Sequence, residues 1–126
     1  MKYVLLALSC SGALIAADND DADAAAQHFF DRTCALCHGA TGAGDGMLAG
    51  GLEVRPRSLR STTWQDSVSD EHIRRVIVDG GPAVGLSSAM PAHAQLADQP
   101  AVADALVRLI RAMRQPDTEQ DEATTP

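Results

Sequence analysis

A chain of 126 residues with ten Lys plus Arg against seventeen Asp plus Glu, formal net charge −7, reads as one small acidic domain. Nucleic acid demands a basic face and an anionic membrane surface demands basic clusters, so neither partner is expected, and no stable membrane association is expected. The chain opens with Lys2, an uncharged apolar run over 3–17, small residues at Ala16 and Ala17, and then the acidic stretch DNDDAD. That order is a secretory signal peptide, 1–17, cut after Ala17 or Ala16. The run is shorter than the ~20 residues a spanning helix needs. Cys10 reads as a passive residue of the run. Lipidation there is the lesser alternative, because Leu8 fits a lipoprotein signal poorly. Cleavage would leave 109 residues carrying nine Arg and seventeen acidic groups, net −8, with two Phe, one Trp and, once Tyr3 is gone, no Tyr. So small a domain struggles to bury enough apolar surface, and a large apolar cofactor would supply the missing core.

The elements then follow in order. An acidic, loose linker is expected over 18–23. A first helix fits about Ala24 to Thr33, with Ala25, Ala26, Phe29, Phe30 and Thr33 on one face. The stretch GATGAGDGMLAGG, 39–51, holds most of the chain's glycines and must be a loop. Residues 52–68 look irregular, with Pro56 and the basic cluster Arg55, Arg57 and Arg60. A second helix fits Asp70 to Asp79. Ser69 is its N-cap, Ile73, Val76 and Ile77 its buried stripe, and Gly80, Gly81 and Pro82 its stop. Residues 82–97 form a long loop containing Met90 and Pro91. A third helix fits about Gln99 to Arg114, capped by Asp98, with Val102, Ala105, Leu106, Leu109, Ile110 and Met113 inward. The acidic tail, 115–126, should be disordered. No strand pattern and no internal repeat is visible, so the domain, 24–114, is expected to be all-α.

The chemistry lies in Cys34-Ala35-Leu36-Cys37-His38. C-x-x-C-H is the attachment sequence of c-type haem. Two thiols three positions apart can reach the two vinyl groups on one porphyrin edge and form thioethers, and the adjacent imidazole is then held beneath the iron. A dithiol redox centre is the first competitor, but no βαβ pattern surrounds the pair. A zinc site is the second, but two more ligands at suitable spacing are missing. For the sixth iron ligand the candidates are Met47, Met90, Met113, His28, His72 and His93. Met113 lies on a core stripe. His28 and His72 read as solvent-facing. Met47 follows His38 too closely to cross to the opposite haem face. Loop placement favours Met90, with His93 as runner-up.

These residues resemble the class I c-type cytochromes of bacterial periplasms. The likeness covers about residues 24–114: a helix running into CALCHG, the GAGDG loop, the helix SDEHIRRVIVDGG, the AMPAH loop and a last amphipathic helix. The resemblance implies a small cytochrome c fold of about three main helices whose long loops enclose one covalently attached haem c. It implies thioethers at Cys34 and Cys37, His38 as proximal ligand and Met90 as distal ligand. Many relatives carry a proline soon after the glycine-rich loop, whose carbonyl accepts the bond from the proximal histidine. Here the nearest is Pro56, so the carbonyl that orients His38 stays open.

The function expected is that of a periplasmic one-electron carrier with no catalytic residues. Its donor and acceptor would be redox proteins with a positive docking patch. Trp64 packs in the core or reaches a haem propionate. The arginine cluster is a solvated loop, a propionate partner or a docking element. Two other readings compete. One is a ligand-binding or peroxidatic haem protein, if Met90 does not ligate. The other is a haem subunit of a larger redox enzyme.

Overall fold

The first helix begins earlier than its apolar spacing predicts. A computed structural model describes residues 13–119, with side chains from residue 19 onward. Helix α1 spans Ala13–Phe29, so the expected linker, 18–23, is helical. The cause lies on its inner face: Ala22 is buried, and Asp23 pairs with Arg108 of the last helix. Most of the expected signal peptide, Cys10 included, lies outside the described residues; positions 13–17 fall within them as helical backbone.

The buried row of α1 is Ala22, Ala26 and Phe30, four residues apart. Ala25, expected inward, is exposed, and Phe29 and Thr33 are half-buried. The helix does not stop at Thr33. A π-turn, Phe30–Cys34, is closed by the Ala35 N–H donating to the Phe30 carbonyl and leads into the single turn α2, Ala35–His38. A π-turn adds a residue to one turn and so re-aims every side chain after it. Fully buried Phe30 anchors that turn in the core.

The segment 52–68, expected to be irregular, contains α3, Thr62–Ser67. It is polar, with no apolar stripe to reveal it, and it rests on its cap: the Ser61 hydroxyl accepts from the Trp64 N–H at 3.1 Å. Helix α4, Asp70–Asp79, falls where the sequence places it. The Ser69 hydroxyl accepts from the His72 N–H at 3.1 Å, and Ile73, Ile77 and Val78 are buried. Val76 is only half-buried. Short 3-10 turns, Gly81–Val84 and Ala94–Asp98, punctuate the long loop that follows. Helix α5, Pro100–Ala112, has Gln99 and not Asp98 at its N-cap position, and no side-chain cap bond forms there. Pro100, with its φ already helical and no N–H to satisfy, does that work in the first turn.

Helix α5 is the hub. It packs chiefly against α1 and also against α4, burying Ala103, Ala105, Leu106, Val107 and Ile110. Val102, Leu109 and Met113, expected inward, are partly buried against this core. The tail is not free at its start. The Gln115 N–H donates to the Arg60 carbonyl, and Gln115 forms an isolated bridge with Ser61. Asp117 accepts from the Thr63 N–H and hydroxyl. Residues 120–126 lie outside the described residues. The fold is all-α, and no named strand occurs among the described residues.

Gln65 ties α3 to α5 from inside. It is 3 % exposed, and its amide donates to the carbonyls of Leu59 and Ile110 at 2.8 and 2.9 Å. Arg111 returns the tie by donating to the carbonyls of Gln65 and Val68 and pairing with Asp70. Replacing Gln65 by Met would keep the length and remove both donors. Each orphaned buried carbonyl costs roughly 1–3 kcal/mol. Urea unfolding of Gln65→Met should therefore show a loss of about 2–4 kcal/mol with an unchanged slope.

Candidate haem site

Cys34, Cys37 and His38 stand on one continuous helical turn that begins in the π-turn and ends at Gly39. Three-residue spacing puts both sulfurs on one side of that turn. Both are free thiols. A helix end leaves its last carbonyls without partners, and the glycine-rich loop meets that need. It folds back over the turn so that Leu48, Gly46 and Gly44 donate to the carbonyls of Leu36, Cys37 and His38, at 2.8, 3.0 and 2.7 Å. Two glycines make the approach possible. A Cβ on Gly46 would collide with the Leu36 carbonyl oxygen, and one on Gly44, whose φ is +77°, would lie 2.6 Å from the Pro56 carbonyl oxygen.

The same loop carries the 56–59 segment to His38. The Leu59 N–H donates to the Gly42 carbonyl at 2.7 Å, and the Arg57 carbonyl accepts from His38 Nδ1 at 2.8 Å. The question left open by the missing proline is thereby answered: the carbonyl belongs to Arg57, the residue after Pro56. With Nδ1 donating, the proton is fixed on that nitrogen and Nε2 keeps its lone pair, the arrangement metal-binding histidines adopt. Burial pushes the imidazole below its usual pKa, opposed by the Arg57 bond, so neutral His38 prevails at neutral pH.

Neither competing use of the cysteines gains support from the site. Burial, with a smaller contribution from the charge of Cys37, pushes the Cys34 thiol up to about 11. A dithiol redox centre needs a thiol lowered toward neutrality. Among the described residues, no group of three or more His, Cys, Asp or Glu could hold a metal ion.

The candidates for the sixth ligand separate by environment. Met47 is 83 % exposed, and Met113 packs on the core beside Gly42 and Leu59. His28 is exposed; His72, expected to face solvent, is half-buried in the first turn of α4. The His93 ring meets Phe29 edge-on, centroids 5.1 Å apart. Met90 is half-buried in a strapped loop. Its carbonyl accepts from Gly81, its N–H donates to Ser87, and the His93 N–H reaches the carbonyls of Ile77 and Val78 at the end of α4. Trp64 is partly buried against the core. Of the basic cluster, Arg55 is exposed, whereas Arg57 and Arg60 are half-buried. Burial lowers the Arg57 pKa.

A small all-α domain, a C-x-x-C-H turn following its first helix and a His38 imidazole oriented through Nδ1 together define a c-type cytochrome domain. The model of one family, described as cytochrome c oxidase, cbb3-type, subunit III, matches residues 21–113, and the chain belongs to that family. No curated protein and no solved structure matches it. Membership carries the cofactor with it: one covalently bound haem c, in a protein of electron transfer with redox partners.

The glycine loop gives a direct test. Gly44→Ala places a Cβ in left-handed backbone, at about 1–2 kcal/mol, and against the Pro56 carbonyl. It should destabilise the holoprotein by about 1–3 kcal/mol and lower the yield of attached haem. Gly50→Ala, with open space around its Cβ, should leave denaturation and pyridine-haemochrome yield unchanged.

Proposed function

We propose that this chain is a periplasmic monohaem cytochrome c that carries single electrons, with thioethers at Cys34 and Cys37, His38 as proximal ligand through Nε2 and Met90 as distal ligand. The observation that carries the reading is the His38–Arg57 bond at 2.8 Å, which holds a neutral imidazole with Nε2 free. The haem, when bound, supplies an iron that alternates between two oxidation states. The chain's own residues do the rest. Cys34 and Cys37 fix the cofactor's edge, the Arg57 carbonyl orients His38, and the strap over 81–93 presents Met90 from a loop tied down at both ends. A thioether opposite an imidazole closes the iron to substrates and favours the ferrous form, which leaves electron transfer as the function. Export is supported by the apolar run over 3–17. No helix among the described residues is long and apolar enough to cross a membrane.

An optical test decides the ligation. Ferrous wild-type protein should be indifferent to CO. Met90→Ala should lose the ferric methionine-to-iron band and bind CO. CO binding by the wild type, or survival of that band in Met90→Ala, would overturn the assignment and favour a ligand-binding haem.

The acidic balance supports a redox partner with a positive patch. Electron transfer to such a partner should slow several-fold as ionic strength rises from about 0.01 to about 0.15 M, where the Debye length falls from about 30 to about 8 Å. A second reading is favoured by the family description, which names an oxidase subunit: this domain would then be the haem c subunit of a larger enzyme. Native electrophoresis of gently extracted protein separates the two. A carrier migrates alone, and a subunit migrates with its complex.

A further inference from the structure

The start of the acidic tail, which composition alone leaves loose, is laced onto one stretch of backbone. Met113, just past α5, lies beside Gly42 and Leu59. The Gln115 N–H donates to the Arg60 carbonyl at 2.9 Å, and the Gln115 carbonyl accepts from the Thr62 hydroxyl at 2.7 Å. Ser61 and Gln115 face each other as an isolated parallel bridge. Further on, the Asp117 carboxylate accepts from the Thr63 N–H at 3.1 Å and from the Thr63 hydroxyl. Residues 113–117 therefore run alongside 59–63. Gln115 and Asp117 are exposed, so the lacing buries little apolar surface, and each of its bonds contributes modestly to stability. Its consequence is geometric.

The laced stretch continues directly from the group that orients His38. The Arg57 carbonyl, which accepts from His38 Nδ1 at 2.8 Å, stands just before Leu59. Leu59 is fixed from one side by its N–H bond to the Gly42 carbonyl and from the other by the Gln65 amide on its own carbonyl. At 60, 62 and 63 the bonds to distant residues go to the tail. A hydrogen bond weakens steeply as its angle and distance drift. A slack 60–63 stretch would let the Arg57 carbonyl move off the imidazole. That carbonyl raises the basicity of His38 as a ligand, and hydrogen bonding around an iron ligand is one of the levers on reduction potential.

We propose that Gln115 and Asp117 are positioning residues for the proximal ligand: laced to Arg60, Thr62 and Thr63, they hold the Arg57 carbonyl on His38 Nδ1 and so help to set the reduction potential. This rests on His38 as the proximal ligand, proposed above. The tail then acts on the iron through two intermediaries, the 57–63 backbone and the imidazole, and touches neither the cofactor nor a partner. A firmly held carbonyl keeps the imidazole electron-rich and favours the ferric iron, so loosening the lacing raises the potential.

The test uses the holoprotein with its tail intact and changes no charge, because removing the Asp117 carboxylate would move the potential by Coulomb interaction alone. Thr62→Val combined with Thr63→Val removes both hydroxyl donors to the tail. Thr62→Ser with Thr63→Ser keeps them. Ser67→Ala is the control, since its hydroxyl belongs to the same helix but donates to the Trp64 carbonyl. Two quantities are read: the reduction potential, and solvent exchange of the His38 Nδ1 proton, followed by NMR in the ferrous state. The double valine variant should raise the potential and speed that exchange about tenfold, as two lost hydrogen bonds allow. The double serine variant should return both readings toward wild type, and Ser67→Ala should move neither. A lower urea midpoint with potential and exchange unchanged would confine the lacing to stability and overturn the proposal, as would equal shifts in Ser67→Ala. If the double valine variant takes up no haem, native-state exchange of the wild type decides. In low urea the Gln115 N–H and the His38 Nδ1 proton should become exchangeable in one opening with one urea slope. A tail that opens while the Nδ1 proton stays protected overturns the proposal. A wild-type protein without a c-type haemochrome spectrum would refute the haem ligation itself, and this inference with it.

Discussion

The bond from His38 Nδ1 to the Arg57 carbonyl is the contact on which the rest of the site depends. An imidazole on a short helical turn has rotational freedom and two tautomers, and one backbone acceptor removes both. That acceptor comes from nineteen residues away, so something must carry it there. The glycine-rich loop does so while serving a second need. Its amides at 44, 46 and 48 satisfy the carbonyls of 38, 37 and 36, and its Gly42 carbonyl receives the Leu59 N–H. A side chain at Gly46 would meet the backbone of the Cys turn, and one at Gly44 would meet Pro56. Glycine is required here because two stretches of backbone must touch.

The core explains why so small a chain can hold this arrangement. Helix α1 offers alanines, Ala22 and Ala26, to α5, and the pair closes tightly on Phe30 and Leu106, both 0 % exposed. Around this contact the arginines of α4 and α5, with Arg114 just beyond α5, pair with aspartates of α1, α3, α4 and α5. Each such surface pair contributes little by itself. Arg111 differs, since it also donates to two backbone carbonyls at the end of α3 and so holds the α3–α4 corner on α5. Once these pairs are formed, the arginines among the described residues without a carboxylate partner are Arg32 and those along 55–60.

Much of this could be read from the residues. Helix α4 was legible to its end residues because cap, stripe and stop all agree. The C-x-x-C-H turn was legible because its spacing is chemistry and not propensity. The failures have physical causes too. The acidic run over 18–23 reads as a linker by composition, yet Ala22 packs inward and Asp23 finds Arg108, eighty-five residues away. Helix α3 has no apolar period, and its stability comes from the Ser61 cap and from Gln65 buried against α5. The tail reads as disordered, but Gln115 and Asp117 are held by Arg60 and Thr63. The proximal carbonyl was illegible, because no local pattern announces which backbone oxygen a folded loop will deliver.

What separates an electron carrier from a reactive haem is decided at the other end of α4. On the proposed ligation the C-x-x-C-H turn would supply one iron ligand, His38, and would need a second from elsewhere in the chain to close the iron. The strap that follows α4 answers that need under the ligation proposed. Gly80, at φ +83°, ends the helix, and a Cβ there would lie 2.8 Å from the Ala92 nitrogen; one on Gly81 would lie 3.2 Å from the Met90 Cβ. The loop therefore returns directly across the helix end it has just left. Its closing bonds, from the Gly81 N–H to the Met90 carbonyl and from the His93 N–H to the Ile77 and Val78 carbonyls, fall at Met90 itself and just after it. To swing Met90 away would break backbone bonds anchored on the buried α4–α5 face. Under that ligation a thioether held by this strap would stay on the iron in both oxidation states, and little would need to reorganise when an electron passes.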